Sequence, residues 1–367
     1  MNRFIKSYTV FVFAFVVPFL LKAQIKDSTQ NVPLIQLSGY VDVFYVFDFN
    51  MPTTNYRQSF LYNYNRHNEF NTNLSFIKAS ALHKKYRANI ALQTGTYTSD
   101  NYANETDVLK NIFEANAGIS LNKKNTLWVD AGIFASHIGF ESAVAFDNAT
   151  LTRSLLAENS PYYLAGAKLN YSPNNKLEVN ILVCNGWQRI QKIQGNSLPS
   201  FGTQLKLKPN ANTTFNWSTF IGTDYPDSTR RMRYFNNLYG VFQISKKLSI
   251  TAGFDYGVQQ SQKNSGSYNT WFSPIIISQF TIKPFLKTAI RAEYYSDING
   301  IIIATKSING FNTYGLSGNI DYLPTENTIL RFEARWLHSK DDLFTTNNST
   351  SNHNFIIATS LSVRFTK

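Results

Sequence analysis

The sequence predicts an all-β protein, a transmembrane antiparallel β-barrel of about sixteen strands, within a range of roughly 14–18. Three observations carry this. No long apolar segment follows the first two dozen residues. Aromatic residues reach 15% of the chain while mean hydropathy is only −0.24. Apolar and polar residues alternate with a period of two over most of the length. Many large apolar side chains at low mean hydropathy suit a wall whose outer face meets lipid and whose inner face is polar.

The N-terminus comes first. Arg3 and Lys6 precede an apolar run over residues 7–21, and Ala23 is the expected cleavage residue. The run is shorter than the roughly 20 residues of a spanning helix, so residues 1–23 read as a secretory signal peptide. Residues 24–33 then form a short periplasmic N-terminal segment, and residues 34–367 the barrel. Losing Arg3, Lys6 and Lys22 takes the net charge from +12 to about +9. Export argues against nucleic acid as the partner of this basic chain. A single cysteine, Cys184, forbids an intrachain disulfide, so strand pairing must carry the fold.

Period-two alternation marks strands with two unlike faces. Val41, Val43, Tyr45 and Phe47 alternate with Asp42, Phe44 and Val46; Ile90 and Leu92 with Asn89 and Ala91; Ile119 and Leu121 with Gly118 and Ser120. The pattern recurs at Leu177–Val183, Phe201–Leu207, Leu248–Val258 and Leu330–Trp336. The last strand is the cleanest, with Phe355, Ile357, Thr359, Leu361, Val363 and Phe365 on one face.

Connection lengths then separate a barrel from a soluble sandwich. Seven short turns (83–85, 122–125, 172–176, 208–212, 245–247, 283–285 and 323–327) take turns with eight long loops (51–69, 98–111, 139–161, 185–199, 223–231, 260–270, 297–310 and 338–353). Short periplasmic turns alternating with longer extracellular loops is the pattern of outer-membrane barrels. The count yields sixteen strands and puts both termini in the periplasm. In lipid every backbone N–H and C=O must pair within the protein, and strands achieve this only in a closed sheet. The expected location is the outer membrane of a Gram-negative bacterium, with the barrel-assembly machinery a partner during insertion.

Ionisable residues of both signs fall opposite the apolar face, where lipid would charge a midplane Arg about 2–4 kcal/mol. Arg87, Glu114, Asp130, Arg291, Glu293, Arg331, Glu333 and Arg335 are the candidate pore-lining residues. Arg291-Ala292-Glu293 and Arg331-Phe332-Glu333-Ala334-Arg335 put charges at every second position, a ladder expected to shape the field in the pore or simply to pair across strands. At about sixteen strands side chains cannot fill the interior, and an aqueous channel is expected. The basic balance makes weak anion preference the expectation. Lys78 shares the phase of Leu74 and Phe76, which assigns it to the lipid face, where it snorkels to the rim unless a bulge shifts the phase.

Enzyme chemistry finds little support. The five histidines, His67, His83, His137, His338 and His353, fall in turns, loops or strand ends. No G-x-S-x-G elbow, phosphate-binding glycine loop, C-x-x-C or clustered metal ligands appear. Neither cofactor nor metal is expected.

The stretch Asp130-Ala131-Gly132-Ile133-Phe134-Ala135-Ser136-His137-Ile138-Gly139-Phe140-Glu141-Ser142 resembles the OmpL-like family of outer-membrane β-barrel porins. The likeness continues through Asp147-Asn148, Thr152-Arg153-Ser154-Leu155-Leu156-Ala157, Ser160-Pro161-Tyr162-Tyr163 and Gly166-Ala167-Lys168-Leu169. Ser38-Gly39-Tyr40-Val41-Asp42, Arg66-His67-Asn68-Glu69-Phe70-Asn71 and Arg87-Ala88-Asn89-Ile90-Ala91-Leu92-Gln93 agree with it. The resemblance implies a porin and names no solute. It also draws attention to residues 139–161. That loop is expected to fold into the lumen as a constriction, with Arg153 opposing Glu141 and Asp147, and Glu158 further along. Passive diffusion of small hydrophilic solutes or ions is therefore the leading expectation, with a homo-oligomer plausible by analogy. The alternatives are a structural or adhesive surface barrel with a blocked lumen, and a barrel enzyme.

Overall fold

The computed structural model describes residues 32–367. The expected signal peptide and nearly all of the expected 24–33 segment lie outside the described residues. Among the described residues sixteen strands close into one antiparallel barrel. They are β1 (Leu34–Asp48), β2 (Phe70–Leu82), β3 (Tyr86–Thr94), β4 (Ile112–Ser120), β5 (Leu127–Ala135), β6 (Tyr163–Asn174), β7 (Leu177–Cys184) and β8 (Ser200–Asn210). There follow β9 (Thr213–Gly222), β10 (Arg233–Gln243), β11 (Leu248–Gln260), β12 (Tyr268–Lys283), β13 (Leu286–Asp297), β14 (Phe311–Thr325) and β15 (Thr328–Ser339). The last long loop carries a small hairpin, β16 (Phe344–Thr345) and β17 (Thr350–Ser351), before the closing strand β18 (His353–Thr366). Two short helices, α1 (Thr96–Asn101) and α2 (Leu155–Glu158), sit in long loops.

Each strand pairs with its sequence neighbour, and β1 pairs with β18, Ser38 opposite Thr366 and Asp48 opposite Ile356. Leu37 and Lys367 exchange backbone hydrogen bonds of 3.0 and 2.8 Å, so the seam is sealed to the chain end. No sheet edge remains for lipid to meet. The short turns use local side-chain bonds. The Asn174 and Asn210 carboxamides accept from the backbone N–H of Lys176 and Asn212 at 2.8 and 2.9 Å, and Asn125 supplies a positive φ of 54°.

The alternation sorts as expected. Ile90, Leu92, Leu238, Leu316, Ile320 and Phe332 face outward, while Asn89, Asn237, Asn319, Arg331 and Glu333 face inward. Outward aromatics form two belts. Tyr294 and Tyr314 lie 4.5 Å apart near the long-loop end, and Phe285 and Tyr322 pack near the short-turn end.

At Lys78 the bulge holds and the lipid-facing assignment does not. Val43 faces Thr72 and Asp42 faces Leu74 across the β1–β2 pair, so Asn73 is an extra residue in β2. This bulge shifts the phase. Leu74, Phe76 and Lys78 point into the barrel, and Ile77, 70% exposed, takes the outer face. Lys78 Nζ lies 2.8 Å from Glu114.

Candidate functional site: the lumen and the loops inside it

The inner wall is not uniformly polar. Towards the short-turn end it carries Lys78, Arg87, Asn89, Glu114, Asn116, Asp130, Lys168, Asn170, Glu178 and Lys206. Towards the long-loop end it carries Leu164, Leu182, Cys184, Phe220, Phe235, Trp271, Tyr295, Phe311 and Leu337, all buried. These nine join Phe60, Leu61, Ile138, Leu155, Ile303 and Phe344 from the loops in one apolar cluster. The expected wet lumen thus needs correction at the loop end. There the barrel is filled as a soluble core is filled.

The loop 139–161 lies inside the barrel against β13–β15, and the charged ladder holds it there. Arg291 Nη2 contacts Glu333 at 3.0 Å and its Nε lies 3.3 Å from Glu293. Arg335 Nη2 meets Glu293 at 2.7 Å, and Arg331 Nη2 meets Asp321 at 3.1 Å. Three arginines therefore balance three carboxylates, all nearly inaccessible. Their remaining hydrogen-bonding capacity goes to loop backbone. Glu333 accepts from the N–H and Oγ1 of Thr152, both at 2.7 Å, and Glu293 from the Leu155 N–H at 2.6 Å. Arg291 donates to Thr152 O, and Arg331 to the carbonyls of Ala145, Asn148 and Thr150. A buried ion pair survives only when such bonds satisfy it. The loop covers most of the ladder, and Arg331 and Asp321 border a polar cavity beside it.

Arg153 does not oppose Glu141 and Asp147 across a bore. It is fully buried and donates to the carbonyls of Ser142, Ala143 and Leu151 at 2.7, 3.0 and 2.7 Å, tying the loop to itself. Glu141 instead accepts from the N–H and hydroxyl of Ser154. Asp147 is exposed and sits 3.8 Å from Arg364. Burial raises the Glu141 carboxyl above the ordinary range, against the pull of Arg291. Ser154 caps α2 by accepting from the Ala157 N–H at 3.1 Å. Inward glycines seat the loop entrance. A Cβ at Gly202 would stand 2.8 Å from the His137 ring, and one at Gly253 2.7 Å from Phe140. Burial pushes the His137 imidazole down to about 4, so its neutral ring donates Nε2–H to Thr219 O at 2.8 Å.

A second loop, 51–69, also enters the barrel, and the sequence reading missed it. Phe60, Leu61 and Tyr64 are buried. Arg57 Nε pairs with Asp48 at 3.3 Å, and the Tyr64 hydroxyl donates to Asp42 at 2.7 Å. Glu158 of α2 accepts from the N–H groups of Tyr62 and Asn63 at 2.9 and 3.3 Å and from Asn63 Nδ2 at 3.2 Å. It clasps the two loops together, and burial pushes its carboxyl up to about 7. The only sequence signal was Phe60-Leu61, an apolar pair inside a polar loop.

Two of the chambers that remain open below the loops are rich in charge. One, of about 470 Å³, is lined by Arg87, Asn89, Glu114, Asp130, Lys168 and Glu178. The other, of about 310 Å³, is lined by Glu141, Asp147, Gln279, Lys287, Asp321 and Arg331. Of the sequence-assigned residues, Arg87, Glu114 and Asp130 share the first chamber. Arg87 holds Asp130 through two bonds of 2.6 and 2.5 Å and lies 4.5 Å over the Trp128 ring. Lys168 was missed, although it keeps the inward phase of Leu164 and Gly166. Among the described residues no group of His, Cys, Asp and Glu could hold a metal ion.

A closed sixteen-strand barrel, apolar outside and charged within, defines the class of transmembrane outer-membrane barrels. Residues 34–365 match the family described as "Putative beta-barrel porin-2, OmpL-like", and the chain belongs to that family of porins. Solved structures agree on the fold. The anion-selective porin of Comamonas acidovorans has a TM-score of 0.60 at 8% identity, covering 91% of this chain and 100% of its own. The channel DcaP of Acinetobacter baumannii scores 0.60 at 11% identity, covering 91% and 98%. The outer-membrane protein OmpT of Vibrio cholerae, in its trimer form, scores 0.61 at 7% identity, covering 91% and 100%. No curated protein matches the chain by sequence.

Proposed function

We propose that this outer-membrane channel passes small hydrophilic solutes and ions by passive diffusion. The observation that carries the reading is the pair of polar chambers inside a closed barrel too wide for its wall side chains to fill. Arg87, Glu114 and Asp130 line the wetted path in this reading. Arg291, Glu293, Arg331, Glu333 and Arg335 act through the loop that they hold. Glu141 and Asp147 border the bore at the constriction, while Arg153 and Glu158 fix the loop shape. Both termini lie in the periplasm, so solutes enter past the long loops. A homo-oligomer is the proposed assembly, the Vibrio relative having been solved in trimer form.

Planar-bilayer recordings test this. Purified protein is expected to produce discrete conductance steps, and deletion of residues 143–151 to enlarge them. A folded barrel that never conducts would support the second reading, a surface-display barrel with a blocked lumen. One observation favours that reading, namely the apolar cluster across the loop end.

A further inference from the structure

Pairing within the two chambers is uneven in sign. In the first, Glu114 is held by Lys78 at 2.8 Å, Asp130 by Arg87 at 2.5 Å and Glu178 by Lys206 at 3.9 Å. In the second, Asp321 is held by Arg331 at 3.1 Å and Asp147 by Arg364 at 3.8 Å. Glu141 forms no ion pair; it is bonded to Ser154 and lies in the fields of Arg291 and of Arg153, whose own bonds all go to carbonyls. Asp42 and Asp255 carry hydrogen bonds without a cation, but neither lines a chamber. Each chamber keeps one lysine outside this pairing, Lys168 in the first and Lys287 in the second. Among the described residues neither ammonium forms an ion pair or hydrogen bond. Lys168 Nζ instead rests 4.9 Å from the Phe134 ring centroid. The two lysines sit on β6 and β13, seven strands apart in a ring of sixteen, on nearly opposite walls.

We infer that Lys168 and Lys287 form an anion relay and set the selectivity of the pore for small anions, chloride and short carboxylates alike. A paired charge presents a dipole, whose field falls off fast. An unpaired ammonium in a narrow, low-dielectric bore presents a full charge and concentrates counter-ions. Asn89 and Asn116 face the same chamber as Lys168, and each spends one amide N–H within the wall, on Asn116 Oδ1 and Ile133 O, which leaves the second for an anion. The inference rests on the channel reading and names its solute class.

Reversal potentials in a KCl gradient, repeated with potassium acetate, test it on the full-length protein. The wild type is expected to favour the anion in both salts. Lys168→Gln and Lys287→Gln are each expected to move the reversal potential towards zero, and the double variant to move it further. Glu178→Gln, which releases Lys206, is expected to shift it the opposite way. Lys84→Gln, in an exposed turn, is expected to leave it unchanged. Heat-modifiable migration on gels confirms that each variant is folded. The inference is overturned if the folded double variant keeps the wild-type potential, or if Lys84→Gln shifts it as much. A wild type that conducts without ion preference sinks the inference and leaves the channel standing. A wild type that never conducts sinks both.

Discussion

Glu158 is a carboxylate whose oxygens meet only N–H donors, with Arg57, Arg153 and Arg335 near enough to act through the field. Its carboxyl is raised from 4.5 to about 7 by burial. The folded form therefore holds its proton more tightly than the unfolded chain does. Stability from this group is fully present below about 4.5 and is lost as pH rises through about 7. After division by the intrinsic base-catalysed rate, the expected outcome is weaker amide protection in residues 60–64 and 155–159 at pH 8 than at pH 5.5. Glu158→Gln should flatten that dependence, and an equal pH response in the variant would refute the assignment. At this scale the sequence was legible where one strand phase decides the face, as at Arg87 and Glu333. Lys78 stayed open between two readings because one extra residue, Asn73, reverses the phase and no local pattern fixes where a bulge falls. Arg153 was misread because its partners are backbone carbonyls, which no side-chain pattern announces.

Among elements, the loop 139–161 depends on contacts made far away in sequence. Arg153 satisfies three of its carbonyls, and each buried acceptor left bare costs ~1–3 kcal/mol. Arg153→Met is expected to loosen residues 142–151 without opening the wall. Exchange there should quicken and single-channel conductance should rise and grow noisier, while the β-sheet circular dichroism signal persists. Unchanged exchange would show that the ladder alone holds the loop. The sequence revealed that loop by its length and its charges. It did not reveal that the ladder was the loop's anchor, because Glu293 to Leu155 and Glu333 to Thr152 join segments over a hundred residues apart. The loop 51–69 stayed hidden for the opposite reason. Its buried part is a handful of residues in a polar, asparagine-rich stretch.

For the molecule as a whole, the alternation of turn and loop lengths was enough to give sixteen strands, since each hairpin must return the chain across the membrane. Closure depends on β18 filling the gap between β1 and β15. Deleting residues 353–367 is expected to leave two bare sheet edges in lipid, and hence no heat-modifiable species on gels. A folded truncated barrel would contradict this. What the sequence could not give was the filling of the upper lumen. Inward Phe235, Trp271 and Phe311 obey the same alternation as inward Asn237 and Asn319, and only the folded loops decide which of them stay wet.

That filling gives the chain two solvents and two ways to melt. The wall is sustained by backbone bonds with no water to compete for them, whereas the inner cluster is sustained by apolar burial, at roughly 1.5–3 kcal/mol for each large side chain. Urea erodes the second far more readily than the first. The core should dissolve while the cylinder around it survives, leaving a hollow intermediate. Trp271 within that core and Trp187 packed edge-on against it at 6.4 Å would report its emptying by fluorescence before the sheet signal falls.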